Sequence, residues 1–252
     1  MKVALVQSAL VWESPVVNRA VLNQKISAHQ ADLFVLPEMF STGFTMHPER
    51  VAEAMNGETV TWMQTIAAKK NAAVCGSVVI EDRGHFYNRL LFVFPSGEVE
   101  YYDKRHLFTL AGEHNAYTPG RKKVVVDYKG FRICVLICYD LRFPVFSRNN
   151  DDYDVLLYVA NWPEPRAAAW DTLLKARAIE NMSFVIGVNR VGQDDNGHNY
   201  LGHSQVFDAL GSPMVANSEN DEVLTAELNK NALLEIRQKF GFLNDRDRFT
   251  VT

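Results

Sequence analysis

The chain is poor in cysteine: Cys75, Cys134 and Cys138 are its three, in 252 residues. Three thiols cannot all pair within one chain, and a chain of this length needs no disulfide framework, so a reduced, cytoplasmic protein is expected. A long apolar run is also missing. The opening MKVALVQSAL is soon interrupted by Gln7, Ser8 and Glu13, and it reads as a first strand rather than a signal peptide. Nothing approaches the roughly 20 consecutive apolar residues that cross a bilayer, so no membrane partner is expected. Positive charge is not in excess either. Lys and Arg number 26 against 30 Asp and Glu, a formal net charge of -4, which argues against nucleic acid as a partner. Neither G-x-x-x-x-G-K-[ST] nor a strand-linked G-x-G-x-x-G occurs, so no nucleotide fingerprint is present. No low-complexity linker divides the chain, and no repeat of roughly 20–50 residues is visible. Residues 1–252 are therefore expected to form a single domain.

What the sequence does hold is apolar strand alternating with amphipathic helix, within a hydrophobic content of 47%. KVALVQSAL, DLFVLPEMF, AAVCGSVVIED, FYNRLLFVFPSGE and VEYYDKRHL read as five strands of the first half. Helices are predicted over Val16–Ala31 and Thr59–Lys70, from apolar residues at helical spacing. In the second half, KVVVDYKGFRICVLICYD reads as a hairpin around Tyr-Lys-Gly. A short helix opens at Pro144, YDVLLYVAN and SFVIGVNRVG are strands, and Ala167–Asn181 is a helix between them. HSQVFDALGSPMVA reads as a further hairpin, EVLTAELN as a late strand and Asn231–Phe240 as a last helix. Several strands are apolar at every position rather than at alternate ones, which marks strands covered on both faces. Composition and periodicity support a layered α/β or α+β fold.

Three chemistry-bearing residues stand at ends of apolar strands: Glu38 after FVLP, Lys104 after VEYYD, and Cys138 after ICVLI. Loops at strand ends are where layered α/β folds place their sites. A thiol, a carboxylate and a cation suffice for acyl transfer: the thiol attacks a carbonyl carbon, the carboxylate moves protons and the cation takes the oxyanion. Each also has an ordinary reading. A lone cysteine is as readily a small buried hydrophobe, Glu38 a cap, and Lys104 a surface lysine. Cys75 and Cys134 are read as core, and the spacing of Cys134 and Cys138, without a second Cys or His pair, gives no metal site.

Taken together the segments are more specific. LPEMFSTGF, YYDKRHLF, GEHNAYTPG and ICYDLRFP, in this order after a VALVQ strand, resemble the nitrilase superfamily of carbon–nitrogen hydrolases, and the resemblance runs to the late strand near Glu227. It implies a four-layer α-β-β-α sandwich, a homodimer and no cofactor. It implies Cys138 as nucleophile, Glu38 as general base, Lys104 as oxyanion stabiliser, and Glu113 as the second glutamate that orients the lysine. The backbone N–H of Tyr139 is then the second oxyanion donor, and Lys104 is expected to lower the thiol's pKa. CYDLRFP and MFSTGF look most like the omega-amidase branch, whose substrates are small dicarboxylic monoamides such as 2-oxoglutaramate and 2-oxosuccinamate.

Such a small-molecule amide carries a distal carboxylate. Arg142 and Arg166 are the candidates to hold it, because arginine grips carboxylates through two parallel hydrogen bonds. Arg142 also stands two residues from Asp140, and an ion pair with it is an equal alternative. Phe40, Phe44, Tyr139 and Trp162 are candidate pocket walls. His106 and His114 are read as solvated loop residues. Rival readings are an aliphatic amidase, nitrilase or carbamoyl hydrolase of the same superfamily, or a catalytically silent binding subunit. A papain-like Cys–His hydrolase is opposed by the absence of a C-G-S-C-W segment.

Overall fold

Strands that are apolar throughout need cover on both faces. The computed structural model, which describes residues 1–251, supplies it with two sheets packed face to face between helices. The elements are β1 (Lys2–Val6), α1 (Pro15–Ser27), β2 (Leu33–Val35), α2 (Glu58–Lys70), β3 (Ala73–Asp82), β4 (His85–Val93), β5 (Val99–Asp103), α3 (Glu113–Ala116), β6 (Val124–Tyr128) and β7 (Phe131–Ile137). There follow α4 (Pro144–Ser147), β8 (Val155–Ala160), α5 (Ala167–Asn181), β9 (Phe184–Asn189), β10 (Val191–Gln193), β11 (Asn199–Leu201), β12 (Gln205–Phe207), β13 (Val223–Glu227) and α6 (Lys230–Phe240).

The first sheet has strand order β13-β1-β2-β3-β4-β5 and the second β12-β9-β8-β7-β6. Each has three parallel strands at its centre, β1-β2-β3 and β7-β8-β9, with antiparallel strands outside them. One face of each sheet meets the other sheet: Val3, Leu5, Leu33, Val35 and Phe92 pack with Ile133, Val135 and Ile137 in a common core. The opposite face of the first sheet (Ala4, Val6, Phe34, Val74) lies under Leu22 and Ile26 of α1 and Met63 and Ile66 of α2. On the second sheet α5 packs so close that a Cβ at Gly187 would come within 2.5 Å of Leu174. The result is the expected α-β-β-α layering.

The sequence places most elements to within a few residues, and the differences have local causes. Helix α1 stops at Ser27 rather than Ala31, because the Asp32 N–H donates to the Lys2 carbonyl (2.8 Å) and the chain must turn before it to enter β2. The predicted hairpin after β12 returns through only one bridge, Phe207 with Pro213, and a proline has no N–H to extend a ladder. SFVIGVNRVG is not one strand but β9 followed by β10, which leaves the sheet to pair with β11. Among the described residues no helix is long and apolar enough to cross a membrane.

Candidate active site

The parallel strands β2, β7 and β8 end on one side of the sandwich, so the residues that follow them converge. Glu38 comes three residues after β2, Cys138 directly after β7, and Asn161 directly after β8. Lys104 follows β5, and Asn88 of β4 lies beside it, its carbonyl accepting from the Lys104 N–H at 3.0 Å. Two strand ends turn through left-handed residues, Met39 (φ 43°) after Glu38 and Cys138 itself (φ 43°). Such conformations cost about 1–3 kcal/mol each outside glycine and concentrate at functional sites.

The polar cluster is dry and densely bonded. Glu38, Lys104 and Glu113 are each no more than 1% exposed. Lys104 Nζ donates to Glu38 Oε1 (2.9 Å) and to both oxygens of Glu113 (3.0 and 2.9 Å). The Asn88 amide donates to Glu38 Oε1 (2.8 Å) and Glu113 Oε1 (3.3 Å), and the Phe108 N–H to Glu113 Oε2 (2.5 Å). The second oxygen of Glu38 accepts the Asn161 N–H (2.8 Å), while the Asn161 side chain donates to the Glu38 carbonyl (2.6 Å). Glu38 is thereby fixed in one orientation from both sheets. The Cys138 thiol lies against it, with its sulfur 3.9 Å from the Asn161 carbonyl.

Electrostatics sets the resting protonation. Burial alone would discharge Lys104, but Glu113 and Glu38 hold its ammonium above the ordinary lysine range. Burial raises the Glu113 carboxyl, with Lys104 opposing. The Cys138 thiol is pushed well above its usual value, first by burial, then by the negative charge of Glu38, with Lys104 pulling the other way. The expectation that Lys104 lowers the thiol's pKa is therefore met by only one of several influences, and burial with Glu38 outweighs it. A lysine between two carboxylates already leaves the cluster one negative charge in excess, and a thiolate would add a second. At rest the sulfur keeps its proton beside a carboxylate that can accept it. Cys75 and Cys134, 0% exposed in the inter-sheet core, are raised by burial, Cys134 to about 12.

A cavity of about 300 Å³ opens above Cys138. Of the residues predicted to meet substrate, Phe44, Lys104, Cys138, Tyr139, Arg142, Trp162 and Arg166 line it. Phe40 does not, and that expectation is corrected. The left-handed turn at Met39 sends Phe40 to the helix-covered face of the first sheet, where its ring lies 5.8 Å from Trp62 and over Gly76. A Cβ at Gly76 would come within 2.8 Å of that ring. The alternative pairing of Arg142 with Asp140 is not formed. The guanidinium lies over Trp162 (4.9 Å) and that of Arg166 over Phe108 (5.1 Å), and neither makes a salt bridge among the described residues. His114 is exposed as expected. His106 is not a solvated loop residue: its ring stacks on Phe143 at 3.7 Å and bonds Asp140 at 2.7 Å.

Sequence reading missed Asn88, Asn161 and the β10–β11 ribbon, whose Asp194, Asn196, His198 and Tyr200 form one wall. Asn161 follows VLLYVA as Cys138 follows ICVLI, and a polar residue closing an apolar strand was the available signal. For the ribbon it was the Asp-Asn-Gly turn, with Gly197 at φ 81°.

A proton-bearing thiol on a left-handed turn, facing a fixed carboxylate and a caged lysine, is the equipment of a thiol-dependent acyl-transfer enzyme. The profile of the carbon-nitrogen hydrolase family matches residues 2–238, and the chain belongs to that family. Proteins named omega-amidase YafV, from Yersinia enterocolitica and Escherichia coli strain K12, are 45% and 44% identical to it, across 100% of this chain and 98% of each of theirs. A 2-oxoglutaramate amidase from Bacillus subtilis strain 168 is 31% identical, over 88% of this chain and 87% of its own. The crystal structure of XC1258 from Xanthomonas campestris, a CN-hydrolase superfamily protein with an arsenic adduct in its active site, shares 44% identity and superposes with a TM-score of 0.98, over 100% of this chain and 99% of that one.

Proposed function

We propose that the chain is an omega-amidase that hydrolyses the terminal amide of small dicarboxylic monoamides, 2-oxoglutaramate and 2-oxosuccinamate among them, to the acid and ammonia. The observation that carries this reading is the distribution of charge in the cavity. The Glu38–Lys104–Glu113 cluster and the thiol stand at its base, while Arg142 and Arg166 line it and make no salt bridge among the described residues; the one carboxylate on the facing wall, Asp194, is bonded within its own ribbon by Tyr200 and the Asn196 and His198 N–H groups. A carboxylate one short chain away from a reacting amide fits between these two regions. At about 300 Å³ the cavity is at the small end of ligand pockets, which run to roughly 1,000 Å³, and suits a substrate of about ten heavy atoms.

The steps follow from the protonation pattern. Glu38 accepts the thiol proton as sulfur attacks the amide carbon, so the charge of the cluster does not rise before the bond forms. The oxyanion takes an N–H from Lys104, which releases one of its two Glu113 contacts, and the backbone N–H of Tyr139. That amide lies in the first turn of the 3-10 segment Cys138–Arg142, where N–H groups have no acceptor within the helix. Glu38 gives the proton to nitrogen, ammonia leaves, and a thioester remains on Cys138. A water gives its proton to Glu38 and attacks the thioester carbon; the C–S bond breaks, the acid leaves, and Glu38 returns the proton to the Cys138 sulfur. Glu113 keeps Lys104 aimed throughout, and Arg142 and Arg166 hold the distal carboxylate against Trp162 and Phe108.

The test is ammonia release from 2-oxoglutaramate by the wild type and by Cys138→Ala. Release abolished in the variant is the expected result. No release by the wild type, with turnover of a nitrile or a carbamoyl compound instead, would overturn the substrate assignment. The same reading carries a cytoplasmic homodimer. Exposed Ile179 of α5 and Leu210 nearby supply apolar surface for a second copy, and light scattering at the monomer mass would refute it.

A further inference from the structure

Lys104 and Cys138 arise from different sheets, so nothing in either sheet's own hydrogen bonding sets the distance between them. Two residues beyond each lies a partner of the other's loop. Asp140, 0% exposed, accepts the His106 backbone N–H (3.1 Å) and bonds the His106 ring Nδ1 (2.7 Å) through Oδ1. Its Oδ2 accepts the Tyr102 hydroxyl (2.8 Å) from β5 and the Ile137 N–H (3.0 Å) from the end of β7. Tyr102 in turn accepts the Arg105 N–H at 3.1 Å. A carboxylate only accepts, so the ring nitrogen of His106 carries the proton. The ring is also held parallel to Phe143, at 3.7 Å and 5°, on the same turn that carries Cys138.

We infer that His106 and Asp140 are positioning residues that bolt the lysine loop to the nucleophile turn and so set the oxyanion donors, Lys104 Nζ and the Tyr139 N–H, around one point. His106 touches neither the cavity nor the thiol, and acts only through this link. The inference rests on the proposed amide hydrolysis, in which an oxyanion forms. Its consequence is selective. Steps that build a tetrahedral oxyanion depend on the link, while a reaction of the same sulfur without an oxyanion does not.

The test uses two variants of the full chain. His106→Phe keeps an aromatic ring on Phe143 and loses the Nδ1 hydrogen bond. His106→Asn loses the ring and restores an N–H donor near the Nδ1 position. With 2-oxoglutaramate, His106→Phe is expected to lower kcat by about 10²-fold, the scale on which catalysis responds to displacements of an ångström, with KM little changed. Alkylation of Cys138 by iodoacetamide, a displacement with no oxyanion, should change far less, and His106→Asn should recover most of kcat. Unchanged kcat in His106→Phe, equal losses in hydrolysis and alkylation, or no recovery in His106→Asn would each overturn the inference. Failure of the wild type to release ammonia would instead overturn the functional reading on which it rests.

Discussion

Strands β4 and β5 carry two charge clusters side by side, one on each face, each around a buried cation. Asn88 and Lys104 point to Glu38 and Glu113; Arg89 and Asp103, their immediate neighbours, point the other way, as alternation along a strand requires. Each cluster is built on one buried cation between two carboxylates, although Asp82 also pairs with the exposed Arg83 at 4.0 Å. Arg89 binds Asp103 through two hydrogen bonds (2.6 and 3.0 Å), reaches Asp82 at 3.3 Å, and lies over Tyr101 at 4.1 Å. Burial works against its charge, and Asp103, with Tyr101 and Asp82, more than offsets this. The same central arrangement, a buried cation between two carboxylates, yields an inert brace on one face and a reactive site on the other, and the difference lies in what surrounds them. The side chains of Asp82 and Asp103 are 39% and 17% exposed, so water completes their solvation. Those of Glu38 and Glu113 are 0% exposed, and beside them stands a thiol whose ionisation would add a further charge. The planar fork of arginine fills its carboxylate, whereas the three N–H groups of lysine can be redistributed to an oxyanion.

The largest effect should come from removing the cation on the reactive face. Lys104→Met leaves two dry carboxylates without their counter-charge, a loss of about 3–5 kcal/mol in stability. It also removes an oxyanion donor, lowering kcat about 10²–10³-fold. Adding Glu113→Gln to that variant should return part of the stability in urea titration and none of the rate. If rate returned as well, Lys104 would act on Glu113 alone.

Next in size is Glu38→Gln. Loss of the general base should lower kcat by about 10²–10⁴-fold. The same change takes away a negative charge that holds the Cys138 proton in place, so the pH midpoint of iodoacetamide alkylation should move down while hydrolysis falls. A midpoint that moves up would contradict the charge balance described for the site.

The converse change on the inert face is Arg89→Met. Its carboxylates are partly hydrated, so the loss should be smaller, about 1–3 kcal/mol. The kcat of the folded enzyme should be unaltered. A loss of kcat at constant stability would mean that the brace positions Lys104 through β5.

How much of this was legible beforehand follows from the same contrast. Glu38, Lys104, Glu113 and Cys138 stand in contiguous segments at strand ends, and their neighbours in sequence identify them. Asn88 sits inside β4 among residues it does not work with, and its role arises only when the β4–β5 register sets it beside Lys104. Phe40 shows the reverse error: two residues from Glu38 in sequence, it is sent through the sheet by one left-handed residue. The link between His106 and Asp140 joins residues 34 apart on two sheets, and no local pattern encodes it. The layers, by contrast, were legible because continuous apolar strands admit few arrangements.

The smallest effect asks whether the reactive thiol differs from the core thiols at rest. All three cysteines have pKa values raised in the folded protein, so each holds its proton at pH values where the unfolded chain has lost it. The unfolded state then binds fewer protons, and stability falls as pH rises. The loss begins near pH ~8.5, the free thiol's pKa, and continues until the folded groups titrate. Each thiol should contribute a slope of up to about 1.4 kcal/mol per pH unit, most cleanly below pH ~9, because buried tyrosines such as Tyr102, Tyr153 and Tyr158 are raised as well and add their own slope as the unfolded phenols ionise towards pH ~10. Measured by urea titration from pH ~8 to ~9, Cys134→Ala and Cys138→Ala should each flatten the slope by about a third. Equal flattening places Cys138 with the core thiols until substrate arrives, and assigns its reactivity to the proton transfer to Glu38. If Cys138→Ala left the slope untouched, the sulfur would already be a thiolate paired with Lys104, and the two faces of β5 would differ in resting charge as well as in surroundings.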